Sequence, residues 1–239
     1  MLPKQANDSL TLTDGAQMTA RKIPKSYVSV TGGFASRKAE RLVEFESLLE
    51  KDCYIQFDAN NEISHFEEQP IRIPVSTKNK SGKSTNTSYV PDVLVHFHPD
   101  SNGSLRNPIL GEIKTTTDLI KNKKKYEAKF EAANELAKKN GWEFRTFTEK
   151  DIRTPDLGFN KFLREYHHIT PDAAAISAVI YGLSELGCQA TYSQLTQALV
   201  SKGEDLLLTI PVIWHLVATE RIHIDRTQPI SDQIVLSLP

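Results

Sequence analysis

Two carboxylates and a lysine stand in an order that suits phosphodiester chemistry. Pro91-Asp92 is followed, after 19 residues, by Glu112-Ile113-Lys114. On adjacent strands, Asp92 and Glu112 bring two hard oxygen ligands to one divalent cation. Mg²⁺ takes one or two carboxylates and leaves its other positions to water and phosphate. Strand alternation puts Glu112 and Lys114 on one face. The ammonium then stands where it orients water or stabilises a pentacoordinate phosphorane. Asp92 interrupts the apolar run 89–95, and Glu112 interrupts the run 109–113. A charge in a buried strand needs a partner or a metal. The plainer alternative is a structural Asp–Lys ion pair at a strand end.

The elements that must position these groups follow from periodicity. Leu42, Phe45, Leu48 and Leu49 recur at helical spacing and predict a helix over 36–51, capped by Ser36. A short β-type run at 53–57 and a turn at 58–61 come next. Extended chain follows over 63–75, with Pro70 and Pro74 marking an edge or a bend. The polar segment 76–87 reads as a hairpin tip, then 89–97 and 108–114 as strands. Residues 118–140 predict one long helix ended by Asn140-Gly141, and 142–147 a further strand. Helix, three strands, helix, strand is an α/β core with a mixed sheet. His96 and His98 alternate along the strand after Asp92 and are assigned no role.

Beyond Gly158 the character changes. A bridge at 159–168 leads to helices predicted over 172–186, 192–200 with Thr191 as N-cap, and 206–219 with Pro211 in its first turn. Two short strands at 221–224 and 233–238 flank Pro229. Three helices and a hairpin outline a small winged-helix-like unit at 169–239. It follows a core at 21–158 and a flexible leader at 1–20.

Composition bounds the class. Of 239 residues, 39% are hydrophobic and 25% charged, as in ordinary soluble globular proteins. No run approaches the roughly 18–20 apolar residues that span a bilayer. The first residues lack the apolar stretch of a secretory signal, which predicts a cytoplasmic location. Cys53 and Cys188 match no metal or redox spacing. The net charge of −1 is uneven. Residues 1–169 hold 26 basic and 23 acidic side chains, a net of +3, and residues 170–239 hold 3 and 7, a net of −4. A winged helix that reads DNA carries a basic recognition helix. The segment 192–200 has no basic residue, and a net −4 repels phosphate. Residues 170–239 therefore read as a protein-docking module.

The Pro-Asp and Glu-x-Lys signature resembles the restriction-endonuclease-like nucleases. The wider pattern is similar to one branch, the TnsA endonucleases of cut-and-paste transposons. The residues that carry it are Gly33-Phe34-Ala35-Ser36-Arg37-Lys38, Phe45-Glu46-Ser47-Leu48-Leu49-Glu50-Lys51-Asp52 and Phe57-Asp58. Phe66-Glu67-Glu68-Gln69-Pro70, Tyr89-Val90-Pro91-Asp92 and Glu112-Ile113-Lys114 continue it in family order. It covers 30–155, and the C-terminal part agrees in outline. The resemblance implies a restriction-endonuclease-like core whose helix glutamate is Glu50, with Glu46 as rival one turn earlier. Asp92, Glu112 and Lys114 complete the catalytic set, and Glu50, Asp92 and Glu112 hold Mg²⁺, for which Mn²⁺ substitutes. Gln69 matches a family position and supports the site or merely pins a strand start.

Cutting at the transposon 5′ ends on the non-transferred strand is implied, with a TnsB-type DDE transposase acting at the 3′ ends. The resemblance also implies a TnsC-type AAA+ ATPase docking on the C-terminal domain, and work at the bacterial nucleoid. Lys121, Lys123, Lys124, Lys125 and Lys129 follow the catalytic strand, and Arg21, Lys22, Lys25, Arg37 and Lys38 form a second basic group. Both are candidates for double-stranded DNA phosphates, with a solvated surface as the alternative. Two rival readings stay open: a stand-alone restriction or repair nuclease, and a non-catalytic DNA-binding or scaffolding protein with structural carboxylates.

Overall fold

The structure, a computed structural model, describes residues 30–39, 41–78 and 84–239. The expected leader at 1–20, the basic residues Arg21, Lys22 and Lys25, and positions 79–83 of the expected hairpin tip lie outside them. Where a helix was expected over 36–51, β1 (Gly32–Ser36) and β2 (Arg41–Phe45) form an antiparallel ribbon. In β2, Val43 and Phe45 point inward while Leu42 is exposed, a period of two. The ribbon packs closely at Gly33, where a Cβ would stand 2.9 Å from Leu42 Cγ. The helix starts later, as α1 (Leu48–Ala59), capped by the Ser47 side chain rather than Ser36. The expected strand at 53–57 is the buried middle of α1, with Cys53, Tyr54, Ile55 and Phe57 facing the core. A short apolar run does not by itself separate a strand from a buried helical turn.

The chain then forms β3 (Ile63–Glu68), the hairpin β4 (Ile73–Lys78) and β5 (Ser84–Tyr89), β6 (Val93–Phe97) and β7 (Ile109–Ile113). The 89–97 run is thus divided: Tyr89 closes the hairpin, and Val93 opens the sheet strand. The long helix expected at 118–140 is also divided, into α2 (Thr116–Lys121) and α3 (Lys123–Lys139). Asn122 stands at the break and bonds the Asp118 side chain at 2.6 Å, a local alternative to helical pairing. β8 (Glu143–Phe147) completes a sheet of order β3-β6-β7-β8, in which only β7 and β8 run parallel.

The sheet is covered on both faces. Phe66, Val93, Val95, Ile109 and Ile113 share one apolar cluster with Leu49, Cys53, Tyr54 and Phe57 of α1. Leu94 and Leu110 share another with Ala133 and Ala137 of α3 and with Ile73, Val75 and Tyr89 of the hairpin. Each fully buried Leu, Ile or Phe contributes roughly 1.5–3 kcal/mol. β7 is buried at every position, and Gly111 is required there: a Cβ would meet Phe147 Cε2 at 2.6 Å and Val93 Cγ1 at 2.8 Å.

After α4 (Glu149–Ile152) and α5 (Leu157–Leu163), a 3₁₀ turn leads into α6 (Ala173–Glu185), β9 (Gln189–Thr191), α7 (Tyr192–Ser201), α8 (Leu206–Ala218) and β10 (Val235–Ser237). The three expected helices are present, and Thr191 caps α7 in a box with Gln194. Pro211 lies inside α8 rather than in its first turn. Its missing N–H leaves the Leu207 carbonyl without a helical donor, on a residue that is 82% exposed. The expected hairpin is also different. β10 pairs antiparallel with β9, and the segment 221–224 contributes a single bridge, His223 to Ser237. β9 was not legible because its three residues show no apolar alternation. Val179, Leu183, Leu195, Leu199, Ile213, Leu216 and Leu236 form this unit's core, joined by Phe159 and Leu163 of α5. Among the described residues, no helix is long and apolar enough to cross a membrane.

Candidate active site

Backbone pairing fixes the site before any side chain is considered. Asp92 sits just before β6, where its N–H donates to Gly111 O at 3.0 Å and its carbonyl accepts from Gln69 N at 2.9 Å and Tyr54 OH at 3.2 Å. Its Oδ2 accepts from the Ile113 N–H at 2.7 Å and from Lys114 Nζ at 3.0 Å. Glu112, 3% exposed within β7, accepts from Tyr89 OH at 2.6 Å and pairs with Lys114 Nζ at 3.0 Å. Lys114 gives its third bond to Ile113 O at 3.0 Å, so its ammonium is fully used and lies between the two carboxylates. Thr116 N–H donates to Glu149 Oε2 at 2.8 Å, which anchors the start of α2 just beyond Lys114.

Electrostatics show what the cluster lacks. Burial, then the charge of Asp92, pushes Glu112 from 4.5 up to about 7, against the pull of Lys114 and Tyr89. Burial and Asp92 do the same to Glu50, also to about 7, against bonds from Glu46 N and Ser47 and the charge of Lys114. Burial opposes the charge on Lys114, but Asp92 and Glu112 outweigh it and hold the ammonium above its ordinary value. Burial and the adjoining Glu112 push the Tyr89 hydroxyl up. Three carboxylates thus share one ammonium in a poorly solvated place. Burial and mutual repulsion raise the proton affinity of Glu50 and Glu112, as expected of a site short of positive charge.

The sequence-derived residues are not all brought together. Asp92, Glu112 and Lys114 meet as expected. Glu50 is electrostatically coupled to Asp92 and Lys114 but is turned toward its own helix start. There it accepts from Glu46 N at 2.7 Å and from Ser47 Oγ at 3.0 Å. Glu46 is not on the helix, as its rivalry with Glu50 assumed, but precedes the cap. It lines the cleft and accepts from Gln69 Nε2 at 3.1 Å. Gln69 is buried in the left-handed region, with φ of 47°. Such a backbone costs on the order of 1–3 kcal/mol and persists where its surroundings hold it.

A cleft of about 310 Å³ opens over the cluster, lined by Glu46, Arg72, Tyr89, Asp92, Glu112, Lys114, Lys125, Tyr126 and Lys129. Of the four lysines at 121–125 offered for DNA, Lys125 lines this cleft, while Lys121, Lys123 and Lys124 do not. Arg72 and Tyr89 were missed by sequence reasoning, because hairpin residues reach the site only through tertiary packing. Arg72 Nη1 donates to Ser88 Oγ at 3.0 Å, which holds its guanidinium to the hairpin.

A mixed sheet with helices on both faces, with Glu112 in β7 and Asp92 and Lys114 at the adjoining ends of its two middle strands, fits a restriction-endonuclease-like core. Residues 60–149 match the family model described as TnsA-like endonuclease N terminal, which supports a TnsA-like endonuclease of that superfamily. The matched stretch contains Gln69, Asp92, Glu112, Lys114 and Lys125, and starts after Glu50. No curated protein matches the chain.

Proposed function

We propose that this protein is a metal-dependent DNA endonuclease of a transposase complex, hydrolysing phosphodiesters on the non-transferred strand at the transposon 5′ ends. The observation that carries the reading is Lys114 Nζ held 3.0 Å from both Asp92 and Glu112 in a cleft rimmed by cations. The residues suit Mg²⁺: their oxygens are hard, two carboxylates are under-compensated, and an ammonium stands where positive charge is needed. Asp92 and Glu112 would hold the ion, with Glu50 as the helix ligand, and Mn²⁺ would substitute. When bound, Mg²⁺ supplies Lewis-acid polarisation of the phosphate and makes water more acidic.

The chain's own groups do the rest. Ile113 N–H and Lys114 fix the Asp92 carboxylate, and Tyr89 fixes that of Glu112. Lys114 stabilises the charge that grows on the phosphorane. Lys125 and Lys129, with Arg72, neutralise phosphates along the cleft.

The order α6, β9, α7, α8, β10, with β9 paired to β10, supports a winged-helix-like C-terminal unit. Tyr181, Val200, Leu207 and Leu208 are exposed apolar residues on its helices, at 60%, 51%, 82% and 69%. With no cation on α7, that surface supports docking of a protein, a TnsC-type AAA+ ATPase, rather than DNA. A TnsB-type transposase completes the complex, acting in the cytoplasm at the nucleoid. The test is nicking of labelled transposon ends by the reconstituted complex. Lys114→Ala is expected to fold normally and lose 5′-end nicking while 3′-end cutting continues. Undiminished 5′ nicking by that variant contradicts the reading.

A further inference from the structure

The edge of the sheet carries a second group of ligand-type side chains. His65 on β3 stands opposite His96 on β6, just past a register irregularity between Ile63 and His65. Irregularities of this kind re-aim a side chain on an edge strand. Glu67, two residues along β3, lies on the same face and opposite Leu94. Among the described residues this is the one group of three His, Cys, Asp or Glu donors whose ligand atoms all lie within 4.8 Å of one another.

We infer that His65, Glu67 and His96 form a binding site for a divalent transition-metal ion, Zn²⁺ being the best match, which clamps the edge strand β3 to β6. Two imidazoles and one carboxylate favour such an ion over Mg²⁺ or Ca²⁺. His96 Nε2 lies 3.4 Å from Glu67 Oε1. Two donors at zinc-ligand distance on a tetrahedral ion are separated by roughly 3.3 Å, so this pair is already spaced for one metal. At 3.4 Å the contact is long for a hydrogen bond, and the Glu67 carboxylate is what the enclosed His96 Nε2 faces. His65 Nδ1 lies 3.1 Å from Ser64 Oγ. The two rings are stacked, 4.2 Å apart and 5° from parallel, so metal binding at this site requires His65 to rotate about χ2 and give up its Ser64 contact. Three protein ligands leave a position for water. Asp92 precedes His96 by four residues, about 13 Å along an extended strand, so the ion is separate from that of the nuclease cleft.

The experiment uses the full chain carrying Asp92→Ala, which removes a ligand of the cleft. Calorimetric titration with Zn²⁺ is expected to give one equivalent bound. Co²⁺ in its place is expected to give visible ligand-field bands of an imidazole site. Adding His96→Ala is expected to weaken Zn²⁺ binding about 100-fold or more and abolish the bands, and adding Glu67→Gln, which preserves shape, to weaken it about tenfold or more. Zn²⁺ is expected to raise the melting temperature of the Asp92→Ala protein and not that of its His96→Ala derivative, with circular dichroism showing both folded. No Zn²⁺ bound by the Asp92→Ala chain, or equal affinity in the His96→Ala and Glu67→Gln derivatives, overturns the inference.

Discussion

At the scale of single residues, the buried carboxylates of the cleft carry a cost in stability. Glu112 has its proton affinity raised from 4.5 to about 7 by burial and by Asp92. A raised acid binds its proton more tightly folded than unfolded. Its stabilising contribution is therefore present below pH 4.5 and is lost as pH rises toward 7. Glu112→Gln keeps an acceptor for Tyr89 and removes the buried charge. In chelator, the variant is expected to match the wild type near pH 4 and exceed it by roughly 1–3 kcal/mol above pH 7. Urea unfolding across that range measures the difference, and a constant difference at all pH values would argue against this origin. Asp92, Glu112 and Lys114 were legible in the sequence because neighbouring strands bring residues of one face together whatever surrounds them. Tyr89, Arg72 and the Glu46–Gln69 contact were not, since nothing local ties a hairpin or a left-handed turn to a distant carboxylate.

At the scale of elements, the sheet and its α3 cover were readable from apolar runs, but the N-terminal ribbon was not. Leu42, Phe45, Leu48 and Leu49 fit a helical template because β2 ends just before α1 begins, and the two periods merge into one. What separates them is the Ser47 cap, whose side chain accepts from Glu50 N at 3.1 Å. Ser47→Ala is expected to destabilise the fold by about 1 kcal/mol and to lower nicking, because the same residue fixes Glu50. Gly111→Ala is a harsher change. Its Cβ has no room against Phe147 and Val93, and overpacking of this kind costs typically about 1–3 kcal/mol. Denaturant midpoints of the two variants test the order of these effects, and an unaffected Gly111→Ala protein would contradict the packing of β7 between its neighbours.

At the scale of the whole molecule, near-neutrality conceals two unlike surfaces, a slightly basic part that carries the cleft and an acidic part that carries exposed apolar side chains. They are joined by specific contacts: Arg226 Nη1 donates to Asn160 Oδ1 at 3.3 Å, and Asn61 to Glu220. Lys125→Ala with Lys129→Ala is expected to weaken DNA binding evenly across sequences and to flatten its salt dependence by about 0.9 per lost phosphate contact. Binding isotherms at several salt concentrations read this directly. Asp92 is the carboxylate on which the proposed active centre depends. The most direct measurement is Mg²⁺-dependent nicking of end-labelled transposon DNA by the reconstituted complex containing Asp92→Ala. Loss of 5′-strand nicking with the fold and complex intact is expected, and nicking at the wild-type rate would contradict a catalytic role for Asp92.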